Sequence, residues 1–141
     1  MARRFGMTVD RSSLISLAEE CAALVHSTFE VDLAWTLGSL DVLDGVCAQL
    51  TRDGPLAGER LDLWWKLVGA YLGEVVVRTY EGEWVEHETA GGAYAIAVMG
   101  VFGFPFATAH RVLVGEPLKS LASFARSLPA VAEQSRTMEP N

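Results

Sequence analysis

The chain has 141 residues, 50% of them apolar and 21% charged, which excludes a disordered or coiled-coil polypeptide. Residues 1–141 are therefore expected to form a single domain around one hydrophobic core. With 18 acidic against 11 basic side chains the net charge is −7, so nucleic-acid binding through Lys and Arg is not expected.

Arg3, Arg4 and Arg11 at the start of the chain read as a solvated end. A first helix is predicted over about 12–28, because Leu14, Leu17, Cys21, Leu24 and Val25 recur at helical spacing. Asp10 or Ser12 is placed to cap it. A second helix reads over about 39–52 on Leu40, Leu43, Val46, Cys47 and Leu50, with Asp41 and Asp44 favouring its positive N-terminal end. Asp53-Gly54-Pro55 ends it. The third helix, about 57–80, is the expected centre of the fold. Leu61, Trp64, Trp65, Val68, Leu72, Val75 and Val76 cover more than one stripe, as in a helix packed on several sides. Gly69 and Gly73 lie four apart on one face and open it to close packing.

Beyond Glu81-Gly82 the period shortens. Trp84–Glu88 and Ala93–Met99 read as two strands joined at Gly91-Gly92, a hairpin over about 83–99. Pro105 suits the first turn of a short helix ending at Gly115. A last helix starts near Pro117, with Leu118, Leu121, Phe124 and Leu128 inward and Pro129 as its stop or kink. The ordered core is expected over about 10–128, and 130–141 as a loose tail. These elements predict an α+β fold: helix-rich, with a small antiparallel sheet of two strands, or three. The stretch 91–109 carries no charge, which is close to the length a membrane span needs, but its glycines and Pro105 interrupt any continuous helix. A buried strand followed by a buried helix is the expected reading, and no membrane contact.

Cys21 and Cys47 fall on apolar helix faces without a Cys-x-x-Cys spacing and are expected reduced and buried. Arg3-Arg4-Phe5 hints at a twin-arginine export signal, but Asp10, Arg11, Glu19 and Glu20 break the apolar stretch it requires. A cytoplasmic location is the expectation.

The chemistry-bearing residues do not form a catalytic motif. Glu86-His87-Glu88 alternates across a strand, so its three side chains do not converge on a metal. His26, His87 and His110 are scattered, no Ser or Cys sits in a nucleophile context, and Gly100-x-x-Gly103 lacks the rest of a phosphate loop. No cofactor or metal is expected. Glu74 sits inside the most apolar helix, where a carboxylate needs a partner or a raised pKa. Arg78, four residues on, is in the favourable order for an ion pair.

Gly69-Ala70-Tyr71-Leu72-Gly73-Glu74, then Gly82-Glu83-Trp84, then Pro105, then the Gly115–Leu121 run with Phe124 form the strongest pattern. In that order it resembles a group of small bacterial α+β domains of unknown function, over roughly residues 57–128. The resemblance implies a helical N-terminal half packed on a small sheet and singles out Tyr71, Gly73, Glu74 and Trp84. It implies no reaction or cofactor. Physically, the Trp84 ring suits packing on Gly69 and Gly73, with its N–H directed to an acceptor such as Glu74.

The leading expectation is a non-enzymatic protein-interaction module, of the immunity or regulatory-partner type. The alternative is a small-molecule site or small enzyme in a pocket where Tyr71, Glu74, Trp84 and His110 converge. A positive mean hydropathy in so short a chain also predicts a homodimer.

Overall fold

A computed structural model describes residues 11–86 and 94–138. Among these residues the apolar spacings form five helices: α1 (Arg11–Phe29), α2 (Leu37–Leu50), α3 (Gly58–Tyr80), α4 (Pro105–Leu113) and α5 (Leu121–Met138). Three short strands lie between α3 and α4: β1 (Glu83–Glu86), β2 (Tyr94–Val98) and β3 (Val101–Gly103). They make one antiparallel sheet in the order β1-β2-β3, with Trp84 opposite Ile96 and Phe102 opposite Ala97. The fold is therefore helix-rich α+β. Among the described residues no helix is long and apolar enough to cross a membrane, and the charge-free stretch from Tyr94 onward becomes β2, β3 and the first turns of α4. The expected turn at Gly91-Gly92, and His87 with Glu88, lie outside the described residues.

The third helix is the axis of the molecule. From Leu67 to Val77 every residue is buried, because α1 packs along one side and α4 along another. The side of α1 that meets it presents Leu14, Ala18, Cys21 and Val25, at the spacing that keeps one face of a helix turned inward. Two glycines of α3 set how close its neighbours come. A Cβ on Gly69 would lie 2.9 Å from the Phe106 backbone Cα, and one on Gly73 would overlap the Trp84 indole. Trp84 thus covers Gly73 but not Gly69, which belongs to Phe106 of α4. One residue could not cover both, since each glycine is filled to contact by a different ring.

The helix ends where Glu81 takes a left-handed conformation (φ 56°) and the Gly82 N–H returns to the Val77 carbonyl. Glycine is needed at 82 for space, since a Cβ there would run into the Val98 side chain and the Ala97 carbonyl. A two-residue turn joins β2 to β3, with Met99 (φ 51°) and Gly100 (φ 81°) both left-handed, the geometry that matches strand twist.

The C-terminal third departs from the sequence reading in three ways. First, α5 begins at Leu121, not near Pro117. Leu118 precedes it at φ 64° and is fully exposed instead of inward. Second, Pro129 neither stops nor ends the helix, which continues to Met138, so the expected loose tail from 130 is helical as far as that residue. Proline removes the N–H that would bond the carbonyl of Ala125, and here the Tyr80 hydroxyl donates to that carbonyl instead, at 3.1 Å. Third, Asp44 does not serve its own helix. The α2 N-terminus is capped by Thr36 with Ser39, while the Asp44 carboxylate accepts from the Leu121 and Ala122 amides (2.8 and 3.1 Å) and from the Ser120 hydroxyl. It caps α5. Asp41 likewise leaves its own helix and accepts from Nη1 and Nη2 of Arg126, at 2.9 and 2.6 Å.

Candidate functional site

Burial brings Glu74 to the inside of α3, where a lone carboxylate would be costly. Three donors meet it. Arg11 Nη2 and Arg78 Nε reach Oε2 at 2.7 and 2.8 Å, and Trp84 Nε1 donates to Oε1 at 3.1 Å. Burial pushes this carboxyl's pKa up, but the hydrogen bonds from Arg11, Arg78 and Trp84 outweigh it, and the net direction is down. Glu74 is thus held as a carboxylate by the two partners the sequence offered, Arg78 and Trp84. Arg11, 63 positions away, is a third that no local spacing announces.

Tyr71, one helical turn before Glu74, serves another joint. Its hydroxyl bonds Ser39 Oγ at 2.7 Å and donates to the Ala34 carbonyl, tying the α2 N-terminus to α3. Burial, partly offset by the Ser39 bond, raises its pKa to about 12, so it stays a phenol. The Trp35 ring lies 4.7 Å from Tyr71 and takes the Arg78 guanidinium on its face at 4.4 Å. Tyr71, Trp35, Arg78, Glu74 and Trp84 are therefore linked contact by contact. The polar ends of Tyr71, Glu74, Arg78 and Trp84 all have partners inside the fold.

His110 is elsewhere. It stands exposed on α4, on the wall of a groove of about 880 Å³ between β3, α4 and α5, which Tyr71, Glu74 and Trp84 do not line. The four residues singled out by sequence do not share one cavity. The Trp84 ring comes nearest, since it packs on Phe106 (5.8 Å between centroids), and Phe106 lines the groove from its core side.

The groove is a feature that sequence reasoning missed. Its floor is aromatic: Trp65 and Phe106 meet edge to face at 5.8 Å, joined by Phe124. The Phe124 ring reaches the space a side chain on Gly103 would fill, so this glycine lets α5 close on β3. At the mouth stand Phe102 (52% exposed), Val131 (44%) and Leu118 (101%). These apolar groups come from a strand, a helix and a loop, so no single periodic pattern exposes them. Among the described lining residues His110, Arg111 and Lys119 are the basic groups, and none is Asp or Glu.

Chemical options elsewhere are few. Among the described residues no group of three or more His, Cys, Asp or Glu is placed to hold a metal. Cys21 and Cys47 are free and buried, and burial raises both thiols, Cys21 to about 12. Comparison with protein-family models, with curated proteins and with solved structures finds no match to this chain.

Proposed function

We propose that this chain is a non-enzymatic protein-interaction module, of the immunity or regulatory-partner kind, and that the β3–α4–α5 groove receives its partner. The observation that carries the reading is the convergence of Phe102, Leu118 and Val131, all exposed, on one aromatic-floored groove. Single exposed apolar residues are ordinary on a protein surface, but several gathered at one concavity mark a place where another surface is bound. A catalytic or small-molecule site at Tyr71, Glu74, Trp84 and His110 is less favoured, since the first three are committed to partners inside the fold.

A peptide-display selection against the full chain tests this. The counter-selection target is the triple variant Phe102→Ser, Leu118→Ser, Val131→Ser, checked by thermal melt to be folded. Enriched peptides should be apolar and should bind the variant at least about tenfold more weakly, as expected when a central apolar anchor is lost. Absence of enrichment, or equal binding to the variant, would reject the groove as the interaction site.

A further inference from the structure

We infer that the groove's occupant is an apolar segment of a partner protein that carries acidic side chains, held at the rim by Arg111 and Lys119. This rests on the interaction reading above and adds the chemistry of the partner. The first observation is the charge of the wall. In a chain with 18 carboxylate side chains against 11 basic ones, the described residues that line the groove include Arg111, Lys119 and His110 and no Asp or Glu, Glu116 standing beside the rim.

The second is how loosely those cations are held. Other arginines are engaged at short range: Arg11 and Arg78 on Glu74 at 2.7 and 2.8 Å, Arg126 on Asp41 at 2.6 Å. Arg111 and Lys119 instead share one carboxylate, Glu116, each at 3.9 Å, and all three side chains are at least 40% exposed. Contacts that long and wet hold little free energy, so an incoming carboxylate displaces them at little cost. One acid between two bases also leaves the rim net positive.

The apolar floor and the cationic rim together select the occupant. A nucleic acid would meet an acidic protein with an apolar groove, which opposes binding. A second copy, docked by the same face, would bring its own Arg111 and Lys119 against these two, and like charges at an interface select against that pairing. A segment with apolar side chains facing the floor and Asp or Glu at its edge satisfies both parts.

Three degenerate peptide pools test it on the full-length chain. Their apolar positions vary among Leu, Ile, Phe and Met, and their polar positions are all Glu, all Gln or all Lys. Fluorescence anisotropy is read at low and at physiological salt, for wild type and for Arg111→Gln/Lys119→Gln. The Glu pool should bind about tenfold tighter than the Gln pool, and the advantage should shrink with salt. In the double variant the advantage should vanish while Gln-pool binding stays. Equal binding of the Glu and Gln pools overturns the inference and leaves the interaction reading standing. Failure of every pool overturns both. Binding of laurate where no peptide binds would assign the groove to a small amphipathic anion. A wild-type dimer by light scattering that Phe102→Asp dissolves would assign it to a second copy.

Discussion

The hydroxyl of Tyr80, at the end of α3, donates to the carbonyl of Ala125 in α5, the carbonyl that Pro129 leaves without its helical partner. A proline inside a helix kinks or breaks it, because it leaves a carbonyl without its partner and its ring clashes with that carbonyl. Here a side chain 45 positions earlier relieves the first. Tyr80→Phe should cost about 1–2 kcal/mol, the penalty of an unpaired part-buried carbonyl. In a Pro129→Ala background the amide returns and the same change should cost almost nothing. Urea melts of the four proteins measure this coupling, and a Tyr80→Phe penalty that is unchanged by Pro129→Ala would remove it.

Glu74 is the second test. Glu74→Gln keeps the shape but removes the charge facing Arg11 and Arg78, and should cost about 1–3 kcal/mol. Trp84→Ala should cost more, about 3–5 kcal/mol, through the cavity it leaves against Gly73. The sign with pH follows from the lowered pKa of Glu74. A carboxyl whose folded pKa lies below its unfolded value stabilises the fold fully above the unfolded value, about 4.3 for Glu. That contribution fades as pH falls through the folded value. Acid titration of stability should thus be shallower in Glu74→Gln than in wild type. Equal slopes would show that the carboxylate adds nothing to the fold.

Gly69→Ala and Gly73→Ala set propensity against packing. Alanine gains up to about 1 kcal/mol in a helix interior. The new methyl at 69 meets the α4 backbone and at 73 the Trp84 ring, both tightly enclosed, and overpacking costs about 1–3 kcal/mol. Both variants should melt lower than wild type. A stabilised Gly73→Ala would mean that the indole moves aside freely.

Cys21 and Cys47 should react slowly with a thiol reagent in the native protein and quickly in denaturant, because burial both shields and raises the thiols. Fast native labelling of either would place its helix face toward solvent.

What could be read from the residues was what depends on short spacing. The extent of α3, the Glu74–Arg78 pair four residues apart, and the approach of Trp84 to Gly73 across one turn and a strand are local facts, written in the 69–84 run. Pro129 shows the limit. As a local signal it reads as a stop or kink, and the helix runs through it with the distant Tyr80 hydroxyl on the carbonyl it strands. Arg11 on Glu74 and Ser39 on Tyr71 join positions 63 and 32 apart, so neither has a periodicity to betray it. The groove is hidden for the same reason. Phe102, Leu118 and Val131 come from three elements, and Leu118 was expected inward because its spacing continues α5's apolar stripe before the helix has begun.

The capping of α5 by Asp44 has a consequence for the order of folding. A helix whose first amides are satisfied by its own N-cap residue can nucleate alone, but those of Leu121 and Ala122 wait for a carboxylate 77 and 78 positions earlier. The first turn of α5 has the local Ser120 bond to the Ser123 amide, but its Leu121 and Ala122 bonds form only once α2 lies beside it, which requires closing a loop of 77 positions. The start of the last helix is set jointly by the local Ser120, whose hydroxyl accepts from the Ser123 amide, and by the distant Asp44. A peptide cut from α5 alone should accordingly fray from its N-terminal end inward.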